Sequence, residues 1–553
     1  MSYKNERSQT TQIDHVARTT PDRIVAYIPH STDINQGFRS ITAARYARAV
    51  NVLCESLEPR IGRSTTHQAI GYIGKWDFRY HWVALALKKL GFVGLYSAPR
   101  NSPQMHRHIF ESKQCGTLLH SEGLDIAACL GDKEMNCIQV PLLDALLADG
   151  KAPREYPYEK TFEEVWDEPF VIVHTSGSTG MPKTLNLTNG FVSSLRELGA
   201  YPPKEDGRNN VYSLLFQKVR YYCNFPPWHT GGILIGGPLL NFYGESEQVW
   251  HHPDSPPTPK TIIDAVNHGK VYRAVLAPVT IQGIAMTEGG LDALGRMDTA
   301  SFSGGPLDKV TGNLVSKRTN LYSIMGSTEG GVTGLQYIHK PEDWEYIEYD
   351  PEASGIEFRE QSPGRYELVF VQTPAAARIQ GIFNTFPDRQ EYLSSDLYSK
   401  HPTLPNHWKF QGRTDDLVVF ASGAKHNPLS FEENVRLNNH VSEALVFGTG
   451  RMAAGLLIEM KDTPLENWAQ AKEVLDSILA SVEAANTAAP KHAVVQRSLI
   501  LFTSASSPFM RASKGTVVRK RSLDLYGAEI EKAYANCAVP DMVTSAVTEV
   551  MRN

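Results

Sequence analysis

Between His174 and Thr184 the chain reads His-Thr-Ser-Gly-Ser-Thr-Gly-Met-Pro-Lys-Thr. Such a set of residues can hold a polyanion. Gly177 and Gly180 let the backbone curl until several N–H groups point at one centre, a nest for phosphate. The hydroxyls of Thr175, Ser176, Ser178 and Thr179 add donors, and Lys183 adds a mobile positive charge. The apolar run Phe170–Val173 just ahead reads as a buried strand feeding the loop. Counted from Gly177, Lys183 and Thr184 fall where a Walker loop carries its Lys-Thr, but Pro182 stands in place of that loop's second glycine. Proline has no N–H and a fixed φ, which disfavours a Walker-type kinase or GTPase.

Other segments have the same flavour of glycines, hydroxyls and isolated charges. They are Phe225-Pro-Pro-Trp-His-Thr-Gly-Gly232, Ser301-Phe-Ser-Gly-Gly-Pro-Leu307 and Leu321-Tyr-Ser-Ile-Met-Gly-Ser-Thr-Glu329. Further on come Glu391-Tyr-Leu-Ser-Ser-Asp-Leu397, Gly412-Arg-Thr-Asp-Asp416 and Met510-Arg-Ala-Ser-Lys-Gly-Thr-Val-Val-Arg-Lys520. With these in this order, Thr175–Lys183 resembles the phosphate loop of the adenylate-forming superfamily: acyl- and aryl-CoA ligases, luciferases and adenylation domains of nonribosomal peptide synthetases. The resemblance covers nearly the whole chain and is nearest in flavour to adenylation domains of fungal synthetase-like carboxylic acid reductases.

The resemblance implies a role for each segment. Thr175, Ser176, Gly177, Ser178, Thr179, Gly180 and Lys183 would hold the phosphates of ATP. Gly304, Gly305 and Pro306 would form one side of the adenine slot, with Met325, Gly326 and Ser327 beside it. Met325 takes a place usually held by an aromatic, and its thioether can pack on adenine. Thr328 would touch the α-phosphate and Glu329 would help hold Mg²⁺, a hard cation suited to carboxylate and phosphate oxygens. Asp396 would accept from both ribose hydroxyls with Arg413 beside it, Ser395 standing where glycine is usual. Asp415 would be a hinge and Lys514 the catalytic lysine, with Lys520 as the fallback; Lys514, His229, Thr328 and Glu329 make up the catalytic set.

His229, Ala277, Gly304 and Val332 would wall the acid pocket. In amino-acid-activating domains an aspartate at the place of His229 pairs with the substrate α-ammonium. Histidine offers no fixed counter-ion, so an aryl or other carboxylic acid without that amine is expected. The implied reaction is ATP-dependent adenylation, then transfer to phosphopantetheine on a downstream carrier domain, with a reductase domain beyond it. A freestanding aryl- or acyl-CoA ligase and a catalytically silent nucleotide-binding module are the alternatives. The chain stops where a carrier domain would start, so an excised first domain is expected.

The elements that must position these residues follow from pattern. At 553 residues the chain is too long for one compact core. The expected fold is α/β: a large domain over residues 1–414, with helices packed on parallel-rich sheets, hinged to a small α+β lid over 415–553. Thr42 can cap a helix carrying Tyr46, Val50 and Leu53. Trp82, Val83, Ala86, Leu87 and Leu90 make one apolar stripe, leaving His81, Lys88 and Lys89 for solvent. A helix is expected over Phe191–Leu198, and in the lid a hairpin around Gly448–Arg451. Thr463–Glu466 is a capping box opening a helix with Trp468, Ala471, Leu475, Ile478 and Val482 on one face.

Composition narrows the classes. Hydrophobic residues are 41% and charged residues 21%, with a formal net charge of −5, which gives no electrostatic case for nucleic acid or an anionic membrane. Arg519-Lys520-Arg521 is expected to be a solvated strand end rather than a polyanion site. The 6 cysteines are scattered with no C-x-x-C pair, which fits a reducing cytosol, and the N-terminus lacks the apolar core of a secretory signal, so a cytoplasmic location is expected.

Overall fold

The computed structural model describes residues 6–175, 181–255, 257–461, 468–511 and 517–536. The chain divides into two compact units. One comprises Met1–Arg359, Leu368–Ser394 and Lys400–Lys409, and the other Glu360–Glu367, Ser395–Ser399 and Phe410–Asn553. Asp396 and Arg413 therefore fall in the second unit.

The first unit holds two sheets of similar design. One runs Asn320–Ser323, Thr299–Phe302, Arg273–Leu276, Arg220–Cys223, Glu247–Val249, Ile24–Pro29 and Phe38–Thr42 across the sheet. Its pairings are parallel except for the last, where Phe38–Thr42 folds back antiparallel. The other runs Asn136–Gln139, Thr117–His120, Ala69–Ile73, Val93–Tyr96, Pro169–Thr175 and Lys183–Thr188, again parallel with one antiparallel edge. Every residue of Ala69–Ile73 and Val93–Tyr96 is buried, as strands covered on both faces by helices should be. Thr42 caps the helix Ala43–Ile61 as expected, its hydroxyl accepting from the Arg45 N–H.

The helix Arg79–Lys89 departs from its pattern. It has no solvent face: all 11 residues are buried, His81, Lys88 and Lys89 included. Lys88 Nζ reaches Glu168 Oε2 at 2.6 Å and Lys89 Nζ reaches Asp14 Oδ1 at 2.8 Å, so both charges are compensated from distant parts of the chain. Gly91 ends the turn that follows, at φ +85°.

A third sheet has the order Gln336–Tyr337, Ile347–Tyr349, His407–Arg413, Glu391–Lys400, Arg365–Val371, Ile356–Ser362. In the second unit, Val441–Phe447 and Ala454–Met460 form the expected hairpin, and Val495–Phe502 adds in parallel after the helix Trp468–Ala488. That helix buries Val474, Ile478, Val482 and Ala485, while Leu475 is only half-buried. The Thr463–Glu466 segment lies outside the described residues. Arg519 is not at a solvated strand end; it opens the helix Arg519–Leu525 with its side chain 15% exposed and paired to Glu432. Among the described residues no helix is long and apolar enough to cross a membrane.

Candidate active site

Four neighbouring strands of the first sheet, Asn320–Ser323, Thr299–Phe302, Arg273–Leu276 and Arg220–Cys223, run parallel, so their carboxyl ends share one edge. In open α/β sheets this edge is where ligands bind, because the loops leaving it carry side chains without breaking the ladder. Each of these strands delivers one of the segments singled out in the sequence. At a strand spacing of about 4.8 Å the four ends span roughly 15 Å, the scale of a nucleotide with its acid.

After Arg220–Cys223 comes Phe225–Gly232. His229 is the N-terminal cap residue of the short helix Thr230–Leu234 and its N–H donates to the Pro226 carbonyl at 2.9 Å. Gly232 is required there, since a Cβ would stand 2.0 Å from the Pro226 carbonyl oxygen. Trp228 packs edge-on to Trp76 with centroids 5.5 Å apart and against Tyr80 at 5.3 Å, fixing the segment that carries His229.

After Arg273–Leu276 comes Ala277, whose N–H donates to Asn224 Oδ1 at 2.9 Å. Asn224 Nδ2 in turn donates to Thr280 Oγ1 at 2.6 Å, so one asparagine ties two adjacent strand ends together. The sequence reading passed over Asn224; an amide at the last position before a Phe-Pro-Pro turn was the available signal. After Thr299–Phe302 comes Gly304 at φ +90°, followed by Gly305, where no atom lies within 4 Å of a would-be Cβ. That open backbone can lie against a flat ring. Pro306 is exposed.

After Asn320–Ser323 the chain makes a two-stranded hairpin, with Gly326 opposite Val332 and Ser327 opposite Gly331. Thr328 and Glu329 sit in its turn, half-exposed, and the Gly330 N–H donates to Ser327 Oγ at 2.9 Å. Met325 is anchored by the Thr333 N–H on its carbonyl, at 2.9 Å, while Val332 is buried in the main core. Among the described residues no group of three or more His, Cys, Asp or Glu could hold a metal by protein ligands alone. A lone Glu329 suits Mg²⁺, which takes one or two carboxylates together with substrate phosphate oxygens.

The loop expected to hold phosphate follows the strand Pro169–Thr175 of the second sheet. Thr175 ends its strand and pairs directly with Lys183, so the loop closes a hairpin rather than opening a helix. The return strand Lys183–Thr188 precedes the helix Asn189–Gly199; its alternation Thr-Leu-Asn-Leu-Thr has a period of two that was readable as a strand. Lys183 is exposed, Pro182 is buried, and Ser176, Gly177, Ser178, Thr179 and Gly180 lie outside the described residues. His174, at the base of this loop, is buried. Its Nε2 accepts from the Ala98 N–H at 3.3 Å, with Asn101 Nδ2 at 3.2 Å. Burial, and then the neighbouring His106, bring its pKa down to about 4, so it acts as a neutral acceptor that pins the end of the strand.

In the second unit, Arg413 Nη1 donates to Asp396 Oδ1 at 3.0 Å and Arg413 Nε to Asp415 Oδ1 at 2.9 Å. The two residues expected at the ribose are thus adjacent, and the expected hinge residue shares their guanidinium. Ser395 adopts φ +64°, the left-handed region that explains why glycine is usual at this place, at a cost of about 1 kcal/mol for serine. Its N–H is held by Glu367 Oε1 at 3.0 Å. Asp416 lies 3.5 Å from Arg519; burial pushes its carboxyl above the usual range, with Arg519 opposing that shift. Lys514 lies outside the described residues, and Lys520 is exposed.

Comparison with known proteins agrees with this arrangement. Residues 13–357 match the family described as AMP-binding enzyme, and residues 415–538 match the AMP-binding enzyme C-terminal domain. A carboxylic acid reductase of Neurospora crassa is 30% identical over 94% of this chain and 50% of its own length. An isocyanide synthase-NRPS hybrid of Aspergillus fumigatus is 32% identical over 94% of this chain and 33% of its own. The chain thus spans half or less of these relatives. Among solved structures, an anthranilate CoA ligase in complex with anthranoyl-AMP aligns with a TM-score of 0.69 at 13% identity, over 97% of this chain and 100% of that one. With the loops of its parallel sheet and both halves of the chain matched, the protein belongs to the AMP-binding enzyme family of adenylate-forming enzymes.

Proposed function

We propose that this chain activates an aryl carboxylic acid, one without an α-amine, as its acyl-adenylate and passes the acyl group to a phosphopantetheine thiol on a carrier domain. A carboxylate is a poor acyl donor because its leaving group would be oxide. In the first step one carboxylate oxygen bonds to the α-phosphorus of ATP, the bond to the bridging oxygen breaks, and pyrophosphate leaves. In the second, a thiolate sulfur adds to the acyl carbon and AMP departs with its bonding electrons.

The first step brings two anions together, so positive charge must stand where negative charge accumulates. In this reading the Thr175–Gly180 loop and Lys183 hold the phosphates, Thr328 contacts the α-phosphate, and Lys514 is the catalytic lysine. Bound at Glu329, Mg²⁺ would neutralise phosphate charge. Asp396 and Arg413 orient the ribose, Gly304, Gly305, Pro306, Met325, Gly326 and Ser327 receive the base, and His229, Ala277 and Val332 bound the acid. Asp415 is the hinge that exchanges the two half-reactions. The observation that most supports this reading is that four separate segments, some 100 residues apart end to end, leave the same edge of one parallel sheet.

Pyrophosphate exchange with benzoic acids, fatty acids and α-amino acids tests it. Exchange should be fastest with benzoic acids; exchange with α-amino acids alone, or with none of the three classes, overturns the reading. Offering a phosphopantetheinylated carrier domain and free coenzyme A to the charged enzyme then tests the acceptor. Preferential consumption of free coenzyme A would make the protein a CoA ligase instead. A reductase domain beyond the carrier fits the printed name of the Neurospora relative, of which this chain spans half.

A further inference from the structure

The second sheet of the first unit has another opening, at its opposite edge. A cavity of about 410 Å³ is bordered by Ala69, Val93 and Pro169, the first residues of three neighbouring parallel strands. It therefore lies at the amino ends of these strands, whereas the loop expected to hold phosphate leaves the carboxyl end of Pro169–Thr175. Along an extended strand those ends are about 20 Å apart, and the lining residues nearest the loop, Ile172 and Asn186, stand about 10 Å from Thr175 and Lys183.

Of the six non-glycine residues at positive φ among the described residues, two border this cavity. His67 and Gln114, both lining the cavity, adopt φ +53° and +49°. Gln114 follows the helix Pro103–Glu111 in the left-handed conformation that glycine adopts without penalty. Stability alone would place glycine at both positions; the side chains kept there instead face the cavity. His67 also leaves its buried Nδ1 without a hydrogen-bond partner, a second local cost. Strain retained at two points around one opening is a reason to look for function there.

The lining has one uncompensated charge. Lys113 is half-buried and its Nζ donates to Asn186 Oδ1 at 3.1 Å, a neutral amide. Among the described residues no carboxylate lies within ion-pair distance of it, and burial alone lowers its pKa. The rest of the lining is mixed: Thr66, Gln68 and Asn186 are polar, Pro169 is half-buried, and Val93 and Ile172 are nearly covered. A single cation among neutral polar groups fits a monoanion better than phosphate, whose two charges would need more than one lysine.

We propose that this cavity is a second ligand site that binds a small organic carboxylate, its body along Pro169 and its carboxylate on Lys113 and the Gln114 amide. The site is separate from the adenylating one and needs neither ATP nor the C-terminal domain. A ligand drawing Lys113 away from Asn186 would also act on the strand Lys183–Thr188, in which Asn186 stands three residues from Lys183.

The probe is 4-bromobenzoate, soaked into crystals of the full chain, with the bromine located by anomalous diffraction. A bromine peak in the cavity is expected. In equilibrium dialysis Lys113→Ala and Gln114→Gly should each weaken this class of binding by about tenfold or more, the worth of one charge-assisted hydrogen bond. Gln114→Gly relieves the left-handed strain, so its Tm should be unchanged or raised, which separates lost binding from lost folding. The proposal is overturned if no bromine appears in the cavity, if Lys113→Ala binds as the parent does, or if inorganic phosphate displaces the probe at equal concentration.

Discussion

Glu432→Ala should destabilise the second unit by about 3–4 kcal/mol. Glu432 is 4% exposed and its carboxylate accepts three hydrogen bonds: Val446 N–H at 2.7 Å, and Arg519 Nη2 on both oxygens at 2.6 and 2.5 Å. Truncation leaves a guanidinium 15% exposed with one carbonyl, Val446 O at 3.0 Å, and Asp416 at 3.5 Å. Breaking a buried pair from one side costs about 3–5 kcal/mol, and the remaining Asp416 contact places this case in the lower half of that range. The orphaned Val446 N–H is part of the same cost. Glu432→Gln keeps the Val446 bond and one acceptor for Arg519, so about 1–2 kcal/mol is expected. Removing both charges in Glu432→Leu/Arg519→Met should recover most of the loss, since the desolvation cost disappears with the attraction. Urea unfolding followed by hydrogen exchange in Val441–Phe447 and Arg519–Leu525 reads the result. A loss below 1 kcal/mol in Glu432→Ala, or a double variant no better than the single, would show that the pair does not hold the helix after Lys514 in place.

Lys514→Ala should lower pyrophosphate exchange by about 10²–10³-fold, the value of one well-placed donor at a developing anion, while ATP still binds in equilibrium dialysis; unchanged exchange would move the role to Lys520. Asp415→Pro should stop thioester formation and spare adenylation, measured as the two half-reactions; equal loss of both would end the hinge assignment. Gly232→Ala should abolish acid-dependent exchange without altering the ATP-binding isotherm, because a Cβ 2.0 Å from the Pro226 carbonyl must displace the segment carrying His229. Burial holds His81, His106 and His174 at pKa about 4 and His251 at about 3, below their ordinary 6.5. The unfolded chain binds protons that the folded chain refuses, so this stability is complete above pH 6.5 and is lost as pH falls towards 4. The slope is about 1.4 kcal/mol per pH unit for each histidine, and His251→Gln should make the measured slope shallower by one such increment.

The segments assigned to chemistry stood out in the sequence because their residue types and order resemble those of a known family, whatever packs against them. Gly304, Glu329 and Asp396 could be given expected roles without knowing what lies across from them, whereas the need for Gly232 shows only in the Pro226 carbonyl beside it. Charged residues that answer to a partner were not legible. Lys88 and Lys89 sit on a helix whose apolar stripe alone predicts that they face water, yet their partners Glu168 and Asp14 lie 80 and 75 positions away. Arg519 reads as part of a basic cluster until Glu432, 87 positions earlier, is placed beside it. Local periodicity carries no information at that range, so a lysine in a compensated interior and a lysine in solvent look alike.

The same limit governs the site itself. Phe225–Gly232, Ala277, Gly304 and Met325 could each be assigned a role, but nothing in their spacing along the chain says that they meet. They meet because four strands pair in parallel in the order Arg220–Cys223, Arg273–Leu276, Thr299–Phe302, Asn320–Ser323, each crossover returning the chain to the same edge. Those connections run through helices with apolar faces of ordinary composition, and the first also through the strand Glu247–Val249, so the information that assembles the site is spread over residues with no chemistry of their own. A substitution in such a helix that shifts one strand by a residue would turn its side chains to the other face and carry one of the four segments away from the edge, with every motif still intact.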